Sequence, residues 1–594
     1  MAKKEILGAA KPPEPAPEGQ KLTVSEQELI AEAYSRLDLF REGCREMHDR
    51  VRVNRRVMLL DDPGQDDPSA KTKTLQMQTL ISTINNTVAD QMDNMPEAKM
   101  LPETPALLGV ADDLSDTVKH VFHLNDYEAL HRERCEDFFI AGTAVTQVIW
   151  DPDMSRGKGD VALIRWPVEA FLWDPAAEDI QDARALIKVS WHPMSWYTEH
   201  FPEAAPYVCA ENYAINDVGI PDAWASQQAG DENRAMLMEY WYRHYNAEKR
   251  SYSVSVAYIA GHALLAHEED VYEDGQYPFV LDVFSHIEGV PAGDSLVSQL
   301  VPMMRYVNRY ARYIDENLRM ASKSRMLVNR NSGIDRHALS DWTIDVVEGE
   351  NINVDAVKWF DTKPLSGMVV NQMLQMQQDI KQDSGQNQFT RGETAGGVTA
   401  ASAISALQEA GGKISRMRTA ALNRGFRRMA EMVMWRIHQF YDADRVMMVT
   451  GGDGKLKTVD MSPGHLFGRT PAGKLPPPPY TVQIQVQRRN PLQVQAQNDL
   501  FIQAYTMSAQ SGQSFPLTAL FELLNVDGKD KIMPILRQND MMMAQMQQLQ
   551  MQNQQMAAQI EEQTVAVANL QAELKENAKA NQNSTVEAGI ASQI

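Results

Sequence analysis

The sequence predicts an α+β chain that is predominantly helical, and three observations carry that prediction. Apolar residues recur at helical spacing in long runs near the N-terminus and again after Gly293. Between residues 143 and 285 the pattern switches to strand-like alternation. The C-terminal segment then carries an unbroken heptad seam. With 594 residues the chain is long enough for about four domains or one large multi-part fold, and it needs no covalent staples. Its 57 Lys+Arg against 79 Asp+Glu leave a net charge of −22, which argues against an electrostatic nucleic-acid clamp and against a polybasic membrane-surface protein.

Residues 1–20 are rich in Pro, Ala and charge and are expected to be disordered. From Val24 to about Arg56, Leu29, Ile30, Ala33, Leu37 and Phe40 mark a helix, with Ser25 as N-cap and Glu28 completing a capping box. Further helices are expected over 70–92 and 106–140. TAVTQVIWD (143–151) and VALIRW (161–166) alternate around a turn and read as a β-hairpin; FLWDP, ALIKVSW, MEYWYRHY, SYSVSVAYIA and PFVLDVF extend the strand zone to 285.

Helix resumes at Gly293, where Pro302 is expected to start or kink the run through Lys323. A compact strand-turn zone over 326–362 leads to a second long helix, 365–384, and a glycine-bearing break, 386–399. A third helical run reaches Asp442, with Gly411-Gly412 as its weak point; strands occupy 445–490 and helices 491–526.

The last element is the most regular. Met542, Met546, Leu549, Asn553, Met556, Ile560, Gln563, Val567, Leu570 and Leu574 step by alternating fours and threes. Gln dominates the other faces and Asp540 is the single charge between Gln538 and Ile560, so this helix is expected to pack beside neighbours on more than one side. The competing readings are a coiled-coil dimer and a Gln-rich tail with little structure. Residues 575–594 are expected to fray.

No motif supports catalysis. Gly468 to Leu475 matches GxxxxGK, yet Leu475 stands where Mg²⁺ needs Ser or Thr, and four prolines follow where a helix must begin. Asp151, Asp153, Ser155 and Asp160 resemble the start of a calcium loop, but Arg156 replaces its glycine and there is no Glu at position twelve. His262 and His267 lack a HExxH arrangement. Cys44, Cys135 and Cys209 are too scattered for a disulfide framework or a zinc site and read as thiols of a reducing cytosol. The N-terminus has no signal-peptide core, and no apolar run is long enough to span a membrane.

What remains is charge arrangement. Arg305, Arg309, Arg312, Glu316, Arg319 and Lys323 recur at helical spacing and share one face, readable either as a solvated, salt-bridged face or as one turned toward a polyanion. The next zone has the opposite sign: Asp335, Asp341, Asp345, Glu348, Glu350, Asp355 and Asp361 face only Arg336 and Lys358. Such alternation along one axis suits a conduit.

At this point the order of parts resembles the portal, or head-to-tail connector, protein of tailed double-stranded DNA bacteriophages, of a short-tailed type. DFFIAGTAVTQVIWD followed by GDVALIRWPVEAFLWDPAAEDIQDAR is similar to the portal wing, GDSLVSQLVPMMRYVNRYARYIDENLRM to the first stem helix, and PLSGMVVNQMLQMQQDIKQDSGQNQF to the second. QFTRGETAGGVTAASAISALQEA looks like the tunnel loop running into a long kinked helix. The resemblance implies a wing at 21–292, first stem helix at 293–325, clip at 326–363, second stem helix at 364–386 and tunnel loop at 387–398. The long helix, a β segment and crown helices would fill 399–530, and a C-terminal crown or barrel helix 531–574.

The resemblance implies a dodecameric ring at one capsid vertex, assembled in the bacterial host cytoplasm and carried in the virion. Its partners would be the terminase large subunit, head–tail adaptor and tail proteins, and major capsid and scaffolding proteins. Double-stranded DNA would pass through without sequence specificity. No catalytic activity, cofactor, metal or membrane anchor is expected. Arg391, Gly392, Glu393, Thr394, Gly396 and Gly397 would form the loop against the DNA. The alternatives are a DNA-packaging enzyme of terminase or nuclease type, and a coiled-coil adaptor acting through helix 530–574.

Overall fold

The computed structural model describes residues 20–65, 76–209, 234–246, 251–322, 325–341, 343–353, 356–360, 365–386, 412–441, 445–450, 456–468, 475–488, 491–510 and 529–591, with a few positions between 518 and 524. The chain divides into two compact units, Met1–Met447 with Asp460–Gln487, and Met448–Val459 with Arg488–Ile594. The expected disordered N-terminus, the expected helix start at 70–75, the glycine-bearing segment and Lys323, Asp355 and Asp361 lie outside the described residues.

The first unit opens with helix α1, Val24–Met58. Its cap is Thr23, not Ser25: the Thr23 hydroxyl accepts from the Glu26 amide, and the Glu26 carboxylate accepts from the Thr23 amide at 2.7 Å. Both pairs fit the capping spacing; the box forms two residues earlier because the helix itself begins at Val24. The apolar face of α1 (Ile30, Ala33, Leu37, Phe40, Cys44, Met47, Val51) is buried in the main core. Helix α2, Thr79–Met92, is followed by strand β1, Asn94–Pro102, which sequence patterning did not reveal. The single helix expected over 106–140 is two, α3 (Leu108–Leu124) and α4 (Tyr127–Ile140), parted where Asp126 adopts φ 45°.

The strand zone forms two antiparallel sheets. In the smaller, β2 (Thr143–Asp151) is central, flanked by β3 (Asp160–Trp166) and by β9 (Phe279–Val283). The larger has the order β4 (Phe171–Trp173), β5 (Ala185–Pro193), β6 (Arg234–Asn246), β7 (Ser251–Ala260), β8 (Ala263–Glu268). Lys188 and Glu239 face each other across β5 and β6, Nζ to Oε1 2.6 Å, both almost wholly buried. Trp166 covers the ammonium at 3.8 Å and Gln147 accepts from it, so a charge placed inside the sheet still finds partners. Two short strands, β10 (Ser285–His286) and β11 (Gly293–Asp294), lead out of the zone.

Helix α5 runs from Leu296 to Ser322 and passes through Pro302. Of the two roles expected for Pro302, that of a helix start is ruled out, because the helix already begins at Leu296. Leu296, Val297, Leu300, Val301, Met304 and Val307 bury into a second core with α2, α4 and α6, and that burial outweighs the hydrogen bond proline removes. An antiparallel ribbon of β12 (Arg325–Val328) and β13 (Val357–Phe360) separates α5 from α6, Gly367–Asp383, which packs back on α5. Helix α7, Lys413–Phe440, takes Gly412 as its N-cap. It packs on β2 and β9. Strand β16 (Tyr480–Arg488) returns to pair with β1.

The second unit contains most of a hairpin, β14 (Val446–Thr450) and β15 (Leu456–Asp460), then helices α8 (Pro491–Gln510) and α9 (Lys529–Ala591). At 63 residues α9 spans about 95 Å, and it continues through the region expected to fray.

Candidate functional site

The five described residues of the group on α5 have separate local roles. Arg305 is bidentate to Asp62, 2.9 Å from each oxygen, and the aspartate is 3 % exposed. Gly64 leaves room for that guanidinium, since a Cβ there would lie 2.4 Å from Arg305. Burial raises the Asp62 carboxyl, but hydrogen bonds from Arg305 and the Gly64 amide outweigh it and hold the group below its ordinary value. Arg309 lies over the Tyr306 ring at 5.1 Å. Arg312 meets Glu316 at 3.4 Å and Arg319 meets Asp315 at 2.8 Å, both within the helix. Arg312 and Arg319 are thus paired with carboxylates of their own helix, and Arg305 works as an internal tie.

The ribbon beyond α5 keeps its acidic character. Asp335, Asp341, Asp345, Glu348 and Glu350 are all exposed. Asp335 caps the short helix Arg336–Ser340 by accepting from the His337 amide. Asp341 accepts from both the hydroxyl and the amide of Thr343, which hold its carboxyl below the usual range. Gly333, at φ 65°, lets the Glu350 backbone approach.

Arg391, Gly392, Glu393, Thr394, Gly396 and Gly397 lie outside the described residues, but the residues flanking that segment are fixed side by side. Arg418 of α7 donates to the Ser384 carbonyl, the C-cap of α6, at 2.7 Å. Gly385 (φ 82°) abuts Ile414, and Gln386 donates to the Thr83 carbonyl of α2. Arg418 is buried over Phe139 and Phe284, and desolvation draws its guanidinium down to about 10, with Asp90 opposing.

Behind these surfaces sits a buried pair that the sequence did not signal. Arg134 (α4) and Asp282 (β9) are both fully buried, with Nη2 and Nε 2.7 and 2.9 Å from Oδ2. Arg134 also donates to the Tyr127 hydroxyl. Burial pushes the Asp282 carboxyl upward, and the guanidinium pulls against that rise. A similar tie joins Arg436 of α7 to Asp274 at 3.0 Å under the Tyr272 ring. In one dimension each is an ordinary charge in an amphipathic segment; only the packed neighbours reveal its role.

On α9 the seam residues Met542, Met546, Leu549, Met556 and Ile560 are 53–65 % exposed, and Asn553 is exposed among them. A helix of this length showing so many apolar side chains to water has a face suited to association.

The motifs set aside in the sequence have structural employment. Asp160 accepts from Tyr441 at 2.7 Å and from Ser155, closing the β2–β3 turn. His267 meets the Tyr242 hydroxyl at 2.8 Å. Cys44 and Cys135 are buried, which raises each thiol to about 12, and Cys209 is exposed. Among the described residues no group of three His, Cys, Asp or Glu is placed to hold a metal, and no helix is long and apolar enough to cross a membrane.

A family model described as phage P22-like portal protein matches residues 31–584, nearly the whole chain. No curated protein matches it.

Proposed function

The chain belongs to the phage P22-like portal protein family, a structural portal of the capsid vertex, and from that premise we propose how its parts serve a channel for DNA packaging and ejection. Twelve copies form a ring. Residues 21–292 are its wing, α5 and α6 its stem, 326–363 its clip, and the segment 387–398 its tunnel loop. Residues 399–530 supply the long helix, a β segment and the crown helices, and α9 is the crown or barrel helix. The protein performs no catalysis and engages the terminase large subunit during packaging, then head–tail adaptor and tail proteins. During head assembly in the host cytoplasm it contacts major capsid and scaffolding proteins.

The observation that carries this reading is the family match over residues 31–584. The charge arrangement agrees with it. A conduit must not grip its cargo, because every phosphate neutralised releases counterions and tightens binding. A stem in which Arg312 and Arg319 meet carboxylates of their own helix and Arg305 meets Asp62, next to an exposed acidic ribbon, centres a duplex while adhering weakly.

Negative-stain imaging of the purified full-length protein tests the proposal. Rings with a central hole are expected. Monomers or dimers at high concentration, with no rings, overturn it.

A further inference from the structure

The far end of the five-stranded sheet carries an aromatic notch that ring assembly and DNA passage leave without a role. At the tip of β6 and β7, Tyr245 stands opposite Tyr252, with ring centroids 5.4 Å apart and planes at 72°. The two rings are 58 % and 54 % exposed, whereas Tyr240 on the same strand is buried. Arg243, two residues before Tyr245 and so on the same face, lies 4.7 Å from the Tyr252 ring and donates to the Gln181 carbonyl. Behind the rings is Gly275, at φ 61°, where a Cβ would stand 2.3 Å from the Tyr252 carbonyl oxygen. The notch is held in shape by its own neighbours.

The chain supplies an occupant of matching chemistry. Residues 11–19 read KPPEPAPEG, with prolines at 12, 13, 15 and 17. Such a run favours the polyproline II helix, whose three residues per turn put Pro12 and Pro15 on one side. That conformation loses little entropy on docking, and aromatic-lined grooves are its usual seat. The point where this arm joins the folded body is fixed. The Gln20 side-chain amide donates to the Leu264 carbonyl at 2.9 Å and accepts from the Leu264 amide at 3.0 Å, adding one rung to the edge of β8. Leu264 pairs with Ile259 of β7, and Tyr252 is seven positions further along that strand, about 23 Å away. Pro13 is seven positions before Gln20, about 22 Å in polyproline II. The two lengths agree. The chain's other proline run is already engaged: the Pro476 carbonyl meets His438 at 2.9 Å, and the Pro479 carbonyl accepts from the Glu103 amide at 2.9 Å.

We propose that Tyr245 and Tyr252 form a docking notch for the chain's own N-terminal arm, with Pro12, Pro13 and Pro15 packed on the two rings. The arm runs from Gln20 at the edge of β8 to the hairpin tip and covers an aromatic patch that otherwise faces water. The chain's own arm is favoured over that of a second copy by its tether. Anchored at Gln20, with a length equal to the span, it meets the notch at an effective concentration of about millimolar. The proposal does not rest on the ring, since every residue in it belongs to one copy.

Disulfide trapping in the full-length protein tests this. Lys11→Cys and Ser251→Cys are introduced together with Cys209→Ser, which removes the exposed native thiol and leaves Cys44 and Cys135 buried. Under mild oxidation the two new thiols are expected to join within one chain. Mass spectrometry then finds the peptides of 11 and 251 linked, and a non-reducing gel shows no higher species. Tyr245→Ala with Tyr252→Ala in that background is expected to slow closure at least about five-fold. Pro12→Ala with Pro13→Ala and Pro15→Ala, which alters only the arm, should slow it as much. Closure at the parent rate in either variant means a tethered arm colliding at random, and overturns the proposal. Absence of closure in the parent does the same. Disulfide-linked multimers in place of the closed monomer also overturn it, and give the notch to the arm of a second copy.

Discussion

Gly425 of α7 lies so close to Asp282 of β9 that a Cβ on the glycine would stand 1.8 Å from Oδ1. The other carboxylate oxygen is held by Arg134, so Asp282 is gripped on one side and covered by bare backbone on the other. The fit seats the long helix on the β2–β9 sheet. Gly425→Ala must displace either the helix or a fully buried carboxylate, and is expected to cost about 3 kcal/mol or more. A thermal melt measures this directly, and a shift of less than one degree would refute the seating.

Two buried histidines make the fold acid-sensitive. Desolvation, with Arg52 nearby, holds His48 down at about 4; desolvation and Arg134 hold His131 at about 3. Above pH 6.5 both are neutral in folded and unfolded chains and contribute no pH dependence. Below it the unfolded chain takes up protons first, so stability falls from pH 6.5 until each folded value is passed. At pH 5 the loss is about 2 kcal/mol per histidine. Urea midpoints at pH 7 and pH 5 should differ accordingly, and His48→Gln should flatten the difference.

The stem arginines should separate by their surroundings. Arg305→Ala strands Asp62, which is 3 % exposed, and is expected to cost about 2–3 kcal/mol. Arg319→Ala removes an exposed pair one helical turn long and should change stability by about 0.5 kcal/mol or less. Equal effects in chemical denaturation would mean that the tie to Asp62 carries no special weight.

Deletion of 536–594 should leave rings able to form, with the wing and stem driving assembly. Size-exclusion chromatography with imaging reads the outcome. Complete loss of oligomers on truncation would make the heptad helix the assembly element.

Arg391→Glu should alter DNA packaging or retention while rings persist, because it reverses the single cation between Thr390 and Gly397. Lost assembly, or unchanged DNA handling, would remove that segment from the channel.

Much of this was legible in one dimension. The period of the apolar residues marks α1, α5, α6, α7 and α9 and the strand zone, because a helix or strand must bury one face wherever the chain later places it. The order of these elements carries the family resemblance. Spacing could not show which charges are spent within the fold. Arg305 looked like one of a stripe until Asp62, 243 positions away, was found against it. The seat of Gly425 on Asp282 and the pairing of β1 with β16 are likewise contacts between distant segments, invisible to any local window. The sequence by itself determined most of the elements, their order and the total of −22. The tertiary structure decided which cations remain exposed, because a charge is cancelled only by a partner that packing brings within a few ångströms.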